Sequence, residues 1–226
     1  MERTTAEISL AVELTQTFSG LSIDFDFYRN DAYSCGLSGN YTFMIVNPLN
    51  GDETTEAPLW VYLHGGGSGF FDENGDYIAV NNQTEDSYNH EETFDDLVGE
   101  LQRHTIDNGQ TRDSTLTRRI QEGYRVVLVS MCHHDQYSGL GTAYPNNPNP
   151  GAEVNGQQAT MAAVEYTEAN YPTTHVFAHG TSAGSPGVYN LAMSFAAEGI
   201  YLTGVVADSV ISTRQITLVE TYGWQE

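Results

Sequence analysis

A serine attacks an ester only if its hydroxyl stands clear of the chain and amide donors face the carbonyl it attacks. The stretch Gly180-Thr181-Ser182-Ala183-Gly184 has the residue types for the first requirement. It lies between an apolar run, His175-Val176-Phe177-Ala178, and a helix-like run, Val188-Tyr189-Asn190-Leu191-Ala192-Met193. Strand, G-x-S-x-G and helix in that order make a nucleophile elbow, with Ser182 as candidate nucleophile. Side chains at positions 180 and 184 would collide with neighbouring backbone in so sharp a turn, hence the glycines. Taken alone, a serine opening a helix is an ordinary cap. A second motif changes that balance: His64-Gly65-Gly66-Gly67 directly follows the apolar run Leu59-Trp60-Val61-Tyr62-Leu63. This is an oxyanion-loop pattern in its expected place. The N–H groups of Gly65, Gly66 and Gly67, with that of Ala183, are the candidate oxyanion donors. Removing one such donor costs about 3 kcal/mol of transition-state stabilisation. His64 occupies the motif position and is expected to hold the loop at the pocket edge, not to act as the base.

Other groups with chemical potential surround these motifs. His133-His134-Asp135 follows the end of a strand, where ligand-contacting groups collect in parallel sheets. With His64 they are the candidate pocket residues. Adjacent residues on a strand point in opposite directions, which argues against metal ligation by this trio. Asp72-Glu73-Asn74-Gly75-Asp76 resembles a calcium loop only superficially, because the EF-hand glycine and closing glutamate are missing. No metal and no cofactor are expected. His179 should pack beneath the elbow, and His175 should be a polar strand-edge residue. Asp208 ends the last recognisable strand and is the candidate acid, on the condition that the acid has moved one strand early. The usual order is serine, acid, histidine, yet no histidine follows Ser182.

Composition narrows the partners. Thirty acidic residues face eight basic ones, giving a net charge of -22; all eight are arginine, and lysine is absent. Such a surface repels a phosphate backbone, which excludes nucleic acid as partner. An acidic coat favours solubility, and in high salt screening removes its self-repulsion. Apolar runs are far shorter than the roughly 20 residues a membrane helix needs, so no membrane partner is expected. Residues 1–6 lack the basic and apolar regions of a signal peptide. Cys35 and Cys132 allow one bridge or two separate buried thiols. An extracellular or periplasmic location is the expectation.

At 226 residues the chain can bury one core and is read as a single domain. Residues 8–18 alternate loosely and 21–27 cleanly, so that Ile23, Phe25 and Phe27 should face a core and Asp24 and Asp26 solvent. Further strands are expected over 41–46, 59–63, 124–129, 175–178 and 203–207. Helices are expected over 94–104, 114–122 and from 155 or 156 to the residues before Pro172. Residues 68–96 are polar, acidic and asparagine-rich and are read as a cap or loop insertion, and 133–154 form a loop broken by Pro145, Pro148 and Pro150. Strands alternating with helices from residue 59 onward imply a mostly parallel sheet with helices on both faces.

With these segments in place, the chain resembles the pectin acetylesterase and Notum family of carboxylesterases within the α/β-hydrolases. The matching segments are the strand and loop Trp60 to Gly67, the stretch from Asp135 to Gly141, His179 to Gly184, and Ala207-Asp208-Ser209. The resemblance spans roughly residues 40 to 213, and residues 1–40 match nothing. It implies an α/β-hydrolase-type sheet and hydrolysis of small-molecule or carbohydrate esters, including O-acetyl groups, through an acyl-enzyme on Ser182. In that family the acid and histidine come from strands after the one ending at Asp208. The chain ends at Glu226, so it is read as lacking the C-terminal strands. Ser185 replaces a common third elbow glycine, and Val210 a glycine after the Asp-Ser pair. Polyester hydrolases and peptidases share the elbow, and a non-catalytic binding protein of the same fold is the alternative from another class. Oligomeric state is not readable from the sequence.

Overall fold

The computed structural model describes residues 7–18, 21–79, 89–107 and 109–208. Seven strands form the main sheet: β1 (Ile8–Phe18), β2 (Leu21–Ser34), β3 (Asn40–Val46), β4 (Ala57–Leu63), β5 (Arg125–Val129), β6 (Thr173–Thr181) and β7 (Gly204–Asp208). Their order across the sheet is β1-β2-β3-β5-β4-β6-β7. The pairs from β1 to β5 are antiparallel, and β5, β4, β6 and β7 pair in parallel. Consequently β2, β4, β5, β6 and β7 point one way and only β1 and β3 the other. This is the mostly parallel sheet, covered by helices, that the alternation of strands and helices implies.

The apolar run of β4 shows why the sheet is covered on both faces. Leu59, Val61 and Leu63 enter one core with Val127, Val129, Ala163, Val164, Val188, Leu191 and Phe195. Trp60 and Tyr62 enter the other with Val126, Leu128, Leu97, Leu101, Leu116 and Ile120. Helices α3 (Gly156–Asn170) and α4 (Gly184–Ala197) therefore pack on the first face. Helices α1 (Phe94–Thr105) and α2 (Thr115–Gln121) pack on the second. The hydroxyls of Thr93 and Ser114 cap α1 and α2, and Thr93 with Asp96 completes a capping box.

One expected orientation is corrected. Ile23, Phe25 and Phe27 are buried as expected, but Asp26 is buried too. The face of β2 that carries Asp26 meets Tyr171, just beyond α3, and not water. There Asp26 accepts from Asn47 Nδ2 at 2.9 Å and Tyr171 OH at 2.8 Å, and Tyr171 OH lies 2.6 Å from Tyr28 OH. Beside this network the Arg125 guanidinium stacks on the Tyr171 ring and donates to the carbonyls of Pro172, Asp52 and Thr55. Buried polar groups are tolerated here because each finds a partner.

The expected insertion at 68–96 starts with a hairpin, Gly69–Phe71 paired with Tyr77–Ala79. Residues 80–88 of it lie outside the described residues, as do Ser209 and Val210. Within the hairpin turn, Asp72 accepts from the N–H groups of Asn74 and Asp76. The calcium-like residues thus form a turn closed on its own backbone, and those bonds hold the Asp72 carboxyl below its usual range. Cys35 and Cys132 are joined by a disulfide.

Candidate active site

The elbow is built by contact between backbones. A Cβ at Gly180 would stand 2.0 Å from the Gly184 carbonyl oxygen, and one at Gly184 would stand 2.0 Å from the Leu63 carbonyl oxygen. No side chain fits at either position, so β6 turns directly into α4 against the end of β4. Between them Ser182 has φ 52°, in the left-handed region that non-glycine residues rarely enter. Its neighbours on both sides are partly or fully buried, whereas Ser182 itself is exposed. The turn is closed by the Ser185 N–H donating to the Ser182 carbonyl at 3.0 Å, and by the Ser185 hydroxyl donating to the Gly180 carbonyl at 3.0 Å. The serine that replaces a third elbow glycine is therefore a strut across the turn.

The glycine loop meets this serine. A Cβ at Gly65 would come within 2.8 Å of Ser182 Cβ, 3.2 Å of the Thr181 carbonyl oxygen and 3.6 Å of Ser182 Oγ. Residues 182 and 65 are thus in van der Waals contact across the top of the sheet. Among the described residues, the N–H groups of Gly65, Gly66, Gly67 and Ala183 have no protein acceptor, and Ser182 Oγ has no hydrogen bond. Donors left unpaired beside an exposed hydroxyl are what an oxyanion site requires.

His64 lies wholly inside. Its Nε2 is 3.1 Å from Glu92 Oε2, and its Nδ1 is 2.8 Å from the Gly65 carbonyl oxygen. Burial disfavours the imidazolium, but the Glu92 charge and hydrogen bond, with help from Glu100 and the Gly65 carbonyl, lift its pKa to about 9. The same Glu92 oxygen accepts from the Met131 N–H at 3.1 Å, so one carboxylate ties the glycine loop to the end of β5. Glu92 is the site residue that sequence reasoning misses. It stands 28 positions from its partner, and no local pattern marks it.

His133, His134 and Asp135, the other candidate pocket residues, are also buried. His133 Nδ1 lies 2.8 Å from Tyr41 OH, and burial takes its pKa down to about 3. His134 Nδ1 is hydrogen-bonded to Tyr77 OH in the 69–79 hairpin. Asp135 accepts from the N–H groups of Tyr137, Gly139 and Gly156, each at 2.9 Å. Gly156 opens α3, whose own N-cap residue Asn155 makes no side-chain cap bond. Asp135 is thus the cap of α3, supplied from a distant loop. Burial raises its pKa against the pull of those N–H groups.

Asp208 pairs in register with Thr181, and its carboxylate is exposed. Its Oδ2 lies 4.0 Å from Nε2 of His179, a buried ring packed between Trp60 and Tyr62. Burial lowers the His179 pKa, and the Asp208 charge opposes that. His179, expected to pack beneath the elbow, thus lies against Trp60 and Tyr62 on the sheet face that carries α1 and α2, and Asp208 faces its ring. Among the described residues no histidine is hydrogen-bonded to Ser182.

No protein-family model matches the sequence, and no curated protein does. Among solved structures the chain is similar to a thermostable esterase, at 12% identity over 96% of this chain and 44% of that one, TM-score 0.41. It is similar to the esterase Est22 at 12% identity over 91% and 44%, TM-score 0.37. The esterase of Pyrobaculum calidifontis is 14% identical over 90% and 46%, TM-score 0.36. The chain spans about half the length of these structures.

Proposed function

We propose that this chain carries the nucleophile and oxyanion half of a serine carboxylesterase. The observation that carries the reading is the exposed, left-handed Ser182 in contact with Gly65 of the triple-glycine loop. In the proposed reaction Ser182 Oγ attacks the ester carbonyl, and the N–H groups of Gly65, Gly66, Gly67 and Ala183 receive the negative charge of the tetrahedral intermediate. Collapse expels the alcohol, and water then releases the acid from the acyl-serine. A general base must take the serine proton; among the described residues no histidine is hydrogen-bonded to Ser182, and Asp208 serves as acid only if such a base reaches it. Small-molecule esters, including O-acetyl groups on carbohydrate, are the proposed substrates, in line with the pectin acetylesterase and Notum resemblance. The Cys35–Cys132 bridge supports an extracellular or periplasmic setting, where disulfides persist.

Among the described residues no histidine is hydrogen-bonded to Ser182, which favours a second reading, a non-catalytic ligand-binding protein of this fold. Incubation with a fluorophosphonate probe and p-nitrophenyl acetate separates the two. Labelling and turnover that vanish in Ser182→Ala support the esterase. A folded chain that neither labels nor hydrolyses ester supports the binding protein.

A further inference from the structure

The contacts of the buried His64 extend the proposed site by one residue, whose role rests on the esterase reading. A trans peptide points its C=O and the following N–H in opposite directions. The Gly65 carbonyl oxygen is held toward the interior by His64 Nδ1 at 2.8 Å, so the Gly66 N–H of the same peptide is turned away from the ring. His64 is itself fixed at its other nitrogen by Glu92 Oε2 at 3.1 Å, and Glu92 by the Met131 N–H. The Glu92 backbone is fixed as well, since its carbonyl accepts from the Thr42 hydroxyl at 2.7 Å. His64, Glu92, Met131 and Thr42 are all buried, and their bonds run from the ends of β3 and β5 to the glycine loop.

We propose that Glu92 is a positioning residue for the oxyanion loop: its carboxylate sets His64, and His64 sets the Gly65–Gly66 peptide so that its N–H faces the reacting carbonyl. Only the imidazolium donates from both nitrogens, one to Glu92 and one to the Gly65 carbonyl. The groups acting on the His64 ring are Glu92 from the segment before α1, Glu100 and His104 from α1, and Tyr137 from the 133–139 loop. The two carboxylates outweigh the burial penalty, so both bonds persist through neutral pH and one is lost as pH rises through about 9.

The test is a pH titration, from 7 to 10.5, of the backbone amide resonances of Gly65, Gly66 and Gly67 and of the His64 ring. It is run on the whole chain and on Glu92→Gln and Glu92→Ala, with the rate of fluorophosphonate labelling at Ser182 measured in the same samples. The Gly66 amide should shift with the midpoint of the His64 ring, near 9. In Glu92→Gln, which keeps the hydrogen bonds but not the charge, that midpoint should fall by at least about one unit. Glu92→Ala should label about 100-fold more slowly with its circular dichroism unchanged, and Glu92→Gln should recover most of that loss at pH 7. Unchanged glycine amides and labelling in both variants, while the His64 midpoint moves, would overturn the proposal. A wild-type chain whose Ser182 never labels would sink the esterase reading instead, and the amide titration would still decide whether Glu92 controls the loop.

Discussion

Ser182 and Gly65 carry opposite kinds of constraint. A left-handed φ costs a non-glycine residue about 1–2 kcal/mol, and Ser182 bears that cost because the turn around it leaves no other conformation. Ser182→Gly should therefore be more stable than Ser182→Ala by about 1 kcal/mol in urea denaturation, although both lack the hydroxyl. Equal stabilities would mean that the turn is relaxed. At position 65 the constraint is space. Gly65→Ala places a methyl against Ser182 Cβ, so the loop or the serine must move. Fluorophosphonate labelling should drop about 100-fold, as expected for misplacement by an ångström, while the thermal midpoint stays within a few degrees. Both motifs are legible in the sequence because the chemistry demands local spacing: a serine two residues from each of two glycines, and glycines in a row after a strand. Glu92 and the capping role of Asp135 are not legible, because each acts on backbone brought to it only by the fold.

Elements are legible wherever one face meets the core. The expected helices at 94–104 and 114–122 occur at Phe94–Thr105 and Thr115–Gln121, marked by the caps Thr93 and Ser114. The continuous apolar run of β4 implies a strand covered on both faces, and both faces are covered. Alternation misleads at Asp26, because a polar residue of a period-two strand reads as solvent-facing. Tyr28, Tyr171 and Asn47 cover that face and supply hydrogen bonds, which composition cannot reveal. The cap of α1 gives this scale its test. Thr93 accepts from the Asp96 N–H and donates to the Asp96 carboxylate directly after the Glu92 anchor. Thr93→Ala should lower stability by about 1 kcal/mol, read as a lower urea midpoint at unchanged slope. A loss below about 0.3 kcal/mol would show that packing alone holds the helix start.

Across the whole molecule two terms govern the response to solution conditions. The net charge of -22 is self-repulsive. Raising sodium chloride from about 0.05 to 1 M should therefore raise the melting temperature steadily, as the Debye length falls from above about 10 Å to about 3 Å. A flat salt response would show that the acidic coat is neutral for stability. The second term is His133, whose folded pKa of about 3 lies below the ordinary value of 6.5. Its contribution is complete above pH 6.5 and declines as acidification protonates the unfolded chain first, at up to about 1.4 kcal/mol per pH unit. His133→Asn should flatten the acid limb of stability between pH 6.5 and 3, whereas an unaltered limb would place the buried ring's titration elsewhere. Cys35 and Cys132 lie 97 positions apart and are bonded, joining the turn after β2 to the loop after β5. A single protease cut anywhere in the intervening chain therefore leaves one covalent particle. On a denaturing gel the clipped product should run as a single band until thiol is added, and only then separate into two fragments.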